Sequence, residues 1–269
     1  MIEGIVHADC IEWMRKHLAD GCVDAVITDP PYGTTACPWD AVVPFDEMWR
    51  ELHRVAKPSA PFVMFGSQPF TTKLIASNID EFREELVWLK NKSGSGMRAE
   101  SRHLKVHENI IVFSREGKYT YNPQKWRVED TTMMTHRKTM TEHGGGNNVY
   151  GRFTRTRKED DGVRFPFSVL SYKIPMTPAK SKVYNYETDV GLHPTQKPLK
   201  LMEYLVRTYS DVGGIVLDPF CGSGTTAVAC LRADRSFIAI EKDAKYAQMA
   251  KERIEKIRQN GFQKELFEG

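Results

Sequence analysis

Residues 23–28, Val-Asp-Ala-Val-Ile-Thr, form a short apolar run that stops abruptly at Asp29-Pro30-Pro31-Tyr32. A run of this length reads as a buried strand. Downstream, Phe45, Met48, Trp49, Leu52 and Val55 recur at helical spacing, Pro58 closes the helix, and residues 61–65 are a second apolar run. Strand, helix and strand in that order predict a parallel sheet, and so an α/β fold. The punctuation at the first strand's end narrows the chemistry. Two consecutive prolines remove two backbone N–H donors and fix φ twice. What remains is a carboxylate, carbonyl groups without competing donors, and a flat ring. That set suits holding a planar, amine-bearing heterocycle by its N–H groups while its nitrogen is attacked.

The rest of the chain extends the pattern. Residues 85–89 and 108–113 are further strand candidates, and the Gly/Ser-rich stretch 91–96 reads as a mobile loop. From residue 115 the periodicity fades into polar, glycine and basic clusters, so 115–192 is expected to be a partly loop-like insertion and not a second full sheet. Order returns at His193. A helix is predicted over 199–210, with Leu199, Met202, Leu205 and Val206 on one side. A strand over 215–217, a helix from 225 to 231, a strand over 237–240 ending in Glu241 and an amphipathic helix over 243–258 follow. There is no internal repeat. The division expected is 1–114 and 193–269 as two halves of one domain, with 115–192 inserted.

Bulk properties fit that reading. The 269 residues are 41% hydrophobic, enough for one large α/β domain with an insertion. No apolar run approaches the roughly 18–20 residues of a membrane span, and the N-terminus has no signal-peptide pattern. A soluble cytoplasmic protein is expected. Cys10, Cys22, Cys37, Cys221 and Cys230 show no C-x-x-C spacing, so free thiols in a reducing compartment and no bound metal are expected. Residues 115–192 carry 14 Lys and Arg against 9 Asp and Glu, a surplus of +5 in a chain whose whole net charge is +3. A basic segment on a near-neutral body is compatible with a polyanionic partner.

A ligand site is suggested near residue 218. Leu217-Asp218 ends a strand, Gly222 and Gly224 lie in the turn, and a helix starts at Thr225. Glycines allow close approach of a ligand to the backbone, and a helix N-terminus offers unpaired N–H groups. An acid ending the next strand, about 20 residues on, takes ribose hydroxyls in nucleotide-binding α/β folds; Glu241 occupies that position. The string is neither G-x-G-x-x-G nor a P-loop, which argues against a plain NAD enzyme and a nucleotide triphosphatase.

Taken together, Asp29-Pro30-Pro31-Tyr32 and Asp218-Pro219-Phe220-Cys221-Gly222-Ser223-Gly224-Thr225-Thr226 resemble the two signature motifs of the DNA amino-methyltransferases, which use S-adenosylmethionine. The resemblance covers roughly residues 9–113 and 193–254. It implies a three-layer, Rossmann-like sandwich with a mixed, mostly parallel seven-stranded sheet. The catalytic motif precedes the cofactor motif, which is the permuted, beta-type order. It also implies that Asp218, Pro219, Phe220, Gly222, Ser223, Gly224, Thr225, Thr226, Glu241 and Lys242 contribute to the cofactor site. His193-Pro194-Thr195-Gln196-Lys197-Pro198 resembles the segment flanking the cofactor's methionine end. This adds His193, Thr195, Gln196 and Lys197, with Thr195 and Lys197 able to meet its carboxylate. Asp9-Cys10 resembles the family's Gly-Asp-Cys, whose acid faces the cofactor's adenine; Ala8 stands where glycine is usual. Asp9 also reads as the N-cap of a helix through Ile11-Glu12-Trp13-Met14, and both roles can hold.

Family members with Asp first in the catalytic motif mostly methylate adenine at N6, and those with Ser mostly methylate cytosine at N4. The expectation is therefore N6-adenine methylation of double-stranded DNA with Asp29, Pro30, Pro31 and Tyr32 as catalytic residues. N4-cytosine methylation, or an inactive DNA-binding homologue, are the alternatives; the intact motifs argue against decay. The glutamine-methylating enzymes carry Asn-Pro-Pro-Tyr, and Asp29 argues against them. A base inside a duplex cannot reach such a site, so it must be flipped out. Lys125, Arg127, Arg152, Arg155, Arg157 and Lys158, with Trp126 among them, are candidate DNA contacts. A restriction endonuclease acting on the same site is a further candidate partner, no membrane is expected, and the assembly is expected to be a monomer or homodimer.

Overall fold

The central strands are buried along their length because both of their faces are covered. The computed structural model describes residues 4–34, 40–91, 93, 99–127, 162–172 and 196–260. In chain order these form β1 (Gly4–His7), α1 (Cys10–His17), β2 (Ala25–Thr28), α2 (Phe45–Val55), β3 (Phe62–Gly66), α3 (Phe70–Ala76), a 3-10 turn (Ile79–Glu81), β4 (Phe82–Leu89) and β5 (His107–Phe113). There follow β6 (Trp126–Arg127), β7 (Val163–Arg164), β8 (Val169–Ser171), α4 (Leu199–Tyr209), β9 (Ile215–Asp218), α5 (Thr225–Arg232), β10 (Ser236–Glu241) and α6 (Ala244–Asn260). All four residues of β2 and all five of β3 are buried. Successive side chains point to opposite faces of a strand. Ala25, Ile27, Val63 and Phe65 accordingly join one core with α4, α5 and α6. Val26, Phe62 and Met64 join another with α1, α2 and α3. This is the three-layer α/β sandwich expected.

The main sheet runs β1-β10-β9-β2-β3-β5-β4-β8. The pairs from β1 to β3 are parallel; β3–β5 and β5–β4 are antiparallel. The sheet has one strand more than the seven the resemblance implies, and six of its strands were placed from the sequence. The eighth, β8, comes from the insertion and pairs in parallel with β4 at the edge. Three residues with no alternation gave β8 no signal in the sequence. The half-exposed β1 and the seven-residue α3 escaped for the same reason: each is too short to show a period.

The chain divides into two compact units, one of Met1–Asn122 with Ser168–Gly269, the other Pro123–Phe167. The second is narrower than the 115–192 insertion read from composition: β8 joins the main sheet, and the Asn122 N–H donates to the Thr208 carbonyl of α4. In the second unit β6 and β7 form a two-stranded antiparallel ribbon, Trp126 opposite Arg164 and Arg127 opposite Val163. The Lys125 ammonium lies 4.6 Å from the Phe165 ring centre, and Trp126 meets Phe167 edge-on at 6.1 Å. Among the described residues, no helix is long and apolar enough to cross a membrane.

Two details position the functional loops. Asp24, a charge inside an apolar run, accepts from the Ile215 N–H at 2.9 Å and so sets the start of β2 against β9. Val26 then pairs with Leu217, and the carboxyl ends of β2 and β9 emerge side by side. The chain turns to opposite sides of this pair: β10 and β1 lie beyond β9, and β3 beyond β2. Ligands in open α/β sheets bind at such a reversal of strand order.

Candidate active site

Four parallel strands, β1, β10, β9 and β2, end in a row with Asp9, Glu241, Asp218 and Asp29 at or just past their last residues. Strands are about 4.8 Å apart, so the row spans about 14 Å. A cavity of about 410 Å³ opens above it, within the range of small-ligand sites. Asp9, Cys10, Asp29, Pro30, Pro31, Tyr32, Gln196, Lys197, Asp218, Pro219, Phe220, Gly222, Ser223, Thr225, Thr226, Glu241 and Lys242 all line it.

At one end, Asp9 caps α1 by accepting from the Ile11 and Glu12 N–H groups at 3.1 and 3.3 Å, and it meets the Lys242 ammonium at 3.1 Å. Partial burial opposes ionisation of Asp9, but the Glu12 N–H and Lys242 outweigh it and hold its carboxyl below the usual range. Both readings of Asp9, cap and cavity wall, therefore hold. Burial and the Asp9 charge push the Cys10 thiol up to about 12, so it is a packing group. Glu241 accepts from the Gly222 N–H and the Asp243 N–H, both at 2.8 Å. Burial raises its pKa, partly offset by those N–H groups.

In the middle, the Asp218 carboxylate ties three segments. The Thr28 hydroxyl donates to Oδ1 at 2.6 Å, Thr226 to Oδ2 at 2.5 Å, and the Phe220 N–H to Oδ1 at 3.2 Å. Burial raises Asp218 to about 6 against the pull of these donors. Ser223 donates to Gln196 Oε1 at 3.2 Å, bringing the glycine turn and the segment before α4 together. Gly224 is placed differently from its neighbours. It is absent from the lining, it has φ +77°, and a Cβ there would come 3.1 Å from Cβ of Ala250 on α6. Its glycine is required by the backbone and the helix behind it, not by a ligand in front.

At the other end, Tyr32 donates its hydroxyl to Asp29 Oδ1 at 2.5 Å and stacks on Phe70, ring centres 5.0 Å apart. Burial, reinforced by Asp29, pushes the Tyr32 hydroxyl well up, so it stays a donor. The loop is held from behind by Asp40, whose carboxylate accepts from the N–H groups of Tyr32, Gly33 and Thr34 at 2.8, 3.0 and 2.8 Å. Lys197 lies at this end too: its ammonium is hydrogen-bonded to Asp29 Oδ2 and lies 3.3 Å from Glu108 Oε2. Burial raises Asp29, and Lys197 only partly opposes this.

Asp40 and Glu108 were not legible as site residues. Asp40 lies outside any periodic element, and Glu108 reads as the polar start of an apolar strand. His193, Thr195, Arg152, Arg155, Arg157 and Lys158 lie outside the described residues, as does Cys37. Lys125 and Arg127 are exposed on the second unit.

A sequence model described as "DNA methylase", for N6 and N4 methyltransferases, matches residues 23–252. The chain belongs to this family. The resemblance carried by residues 29–32 and 218–226 is thereby borne out, and the protein is a DNA methyltransferase of the amino-group type. The DNA adenine methyltransferase YhdJ of Escherichia coli is 27% identical, over 93% of this chain and 82% of its own. The Type II methyltransferase M.HpaI of Haemophilus parainfluenzae is 28% identical, over 92% of this chain and 72% of its own. Among solved structures, the M1.HpyAVI–SAM complex is 25% identical with a TM-score of 0.59, covering 94% of this chain and 99% of that one. The cytosine-N4-specific PvuII methyltransferase, at 17% identity and TM-score 0.64, shares the fold, with coverage of 95% and 90%.

Proposed function

We propose that this DNA methylase transfers a methyl group from S-adenosylmethionine to N6 of adenine in double-stranded DNA. The observation that carries the reading is the Asp29 carboxylate lining the same cavity as the glycine turn, with Tyr32 and Asp40 fixing its loop. An exocyclic amine is a poor nucleophile because its lone pair is delocalised into the ring. Acceptors on its two N–H bonds favour the tetrahedral nitrogen that can attack. Asp29 supplies one, and the carbonyl of Pro30 the other. Each carboxylate oxygen has two acceptor sites, so the contacts to Tyr32 and Lys197 leave room for the amine.

Positive charge grows on nitrogen during transfer, and Asp29 stabilises it. A carboxylate is far too weak a base to deprotonate a neutral aromatic amine, so the proton leaves during or after transfer. The Tyr32 ring, braced by Phe70, is the surface against which the flipped base stacks. The rest of the rate comes from positioning.

The cavity fits the cofactor. The carboxylates of Glu241 and Asp9, the Phe220 ring and the turn at Gly222 match a nucleoside's hydroxyls, amine and ring face. When bound, S-adenosylmethionine supplies an electrophilic methyl group on a sulfonium. Asp9, Cys10, Lys242, Gln196 and Ser223 complete its site, with Asp218, Thr225 and Thr226 supporting the turn. Residues 115–192 serve as the target-recognition region, with Lys125 and Arg127 contacting phosphate. The exposed Trp126, Phe165 and Phe167, beside Lys125 and Arg127, support that reading.

Product analysis tests the proposal. The protein is incubated with unmethylated genomic DNA and S-adenosylmethionine, and the DNA is digested to nucleosides for mass analysis. N6-methyladenine is expected. N4-methylcytosine would overturn the base assignment, and no product with cofactor still bound would point to a DNA-binding homologue.

A further inference from the structure

A row of alternating charges runs from the catalytic loop into the sheet. Lys197, just before α4, contacts both Asp29 and Glu108; Glu108, near the start of β5, also holds Lys90 from the end of β4. The Lys197 side chain is only 7% exposed, and its ammonium lies 4.9 Å from the Phe65 ring centre and 5.8 Å from that of Tyr32. The ammonium thus sits between two rings and two carboxylates, away from water. A buried ion pair gives little net stability, because desolvation consumes the Coulombic gain. The charges at this spot therefore call for a functional account.

We propose that Lys197, held by Glu108, is the positioning residue that keeps Asp29 an acceptor for the target amine. This rests on the reading of Asp29 given above. Buried near Glu108 and Asp218, a carboxylate without a countercharge would take up a proton, and a protonated Asp29 would lose the negative charge that steadies the cation developing on nitrogen. The Lys197 ammonium fixes Oδ2 and supplies the countercharge that keeps the group ionised. Glu108 anchors the ammonium and, as a second negative charge, tempers its effect. The other groups facing this cluster, among the described residues, are Tyr32, which donates to Oδ1, Asp218 from β9, Asp40 behind Tyr32, and Lys90 and Lys105 near Glu108.

The two members of the pair act on Asp29 with opposite signs, and this makes the proposal testable. DNA methylation is measured against pH at saturating S-adenosylmethionine for the wild type, Lys197→Met, Lys197→Arg and Glu108→Gln. Activity is lost on acidification as Asp29 protonates. Removing the Lys197 charge raises that midpoint, by about 1–3 pH units for an opposite charge this close. Removing the Glu108 charge lowers it. Lys197→Arg keeps the charge and returns the midpoint toward the wild type. Cofactor affinity, read by calorimetry, stays within about twofold throughout, well under the tenfold that 1.4 kcal/mol would produce.

Acid midpoints that coincide in all four proteins would overturn the proposal. So would a Lys197→Met protein that loses cofactor affinity with its midpoint unmoved, which would return Lys197 to the cofactor carboxylate. If Lys197→Met does not fold, Glu108→Gln decides alone: a midpoint that stays or rises overturns the idea. A wild type that methylates no DNA would sink the parent reading, an outcome distinct from all of these.

Discussion

Thr28 donates its hydroxyl to Asp218 across 190 residues of sequence, at 2.6 Å and in full burial. The contact joins the last residue of β2 to the last residue of β9, one on each side of the crevice.

The pH dependence of stability should report this carboxylate. Its folded pKa of about 6 lies above the ordinary 3.8, because burial disfavours the charge. A raised acid contributes stability that is present below pH 3.8 and lost as pH rises through 6. The unfolding free energy of the wild type, relative to Asp218→Asn, should therefore improve as pH falls from 7 toward 4. Denaturant melts at several pH values measure it; parallel pH profiles for the two proteins would contradict the assignment.

Asp40 should matter for rate more than for binding. Its carboxylate holds three consecutive N–H groups of the catalytic loop. A hydrogen bond to a charged acceptor is worth about 1.5–3 kcal/mol. Asp40→Ala should lower kcat by about 10–100-fold, since 1.4 kcal/mol is tenfold, with cofactor affinity unchanged by calorimetry.

Gly224 and Gly213 make a matched pair. Both sit in the left-handed region, at φ +77° and +78°, but a Cβ at Gly213 meets open space while one at Gly224 meets Ala250. Gly213→Ala should cost about 1–2 kcal/mol from backbone strain alone. Gly224→Ala should cost more, and Gly224→Val should also weaken cofactor binding by pushing the Gly222–Ser223 turn forward. Equal melting temperatures for the two alanine variants would remove the packing argument.

Asp29→Ala should keep cofactor affinity and lose methyl transfer by about 10²–10³-fold, the usual scale for one charge-stabilising group. Single-turnover assays separate the two; near-wild-type turnover would sink the acceptor mechanism.

The sequence made the acids legible that end strands, because a strand's apolar run announces where it stops. Asp29, Asp218 and Glu241 all stood at such ends, and the structure places all three around one cavity. The helix over 45–55 was visible from spacing alone and has the bounds Phe45–Val55. Glu108 acquires its role from Lys197, far away in sequence, and Asp40 from N–H groups six to eight residues before it, in a stretch with no periodicity. Nothing local distinguishes a carboxylate that will meet three N–H groups from a solvated one. Lys197 was visible as a motif residue, but its partner was not: only the packing of the segment before α4 against β2 and β5 brings it to Asp29.

Because β9 hydrogen-bonds directly to β2, the acceptor loop and the glycine turn are aligned by main-chain register. The long stretch of chain joining the two halves does not set that alignment. Changes in residues 123–167 therefore leave the spacing of the reacting groups alone. On the proposed reading of residues 115–192 as the target-recognition region, that surface can be redrawn without moving the transfer step.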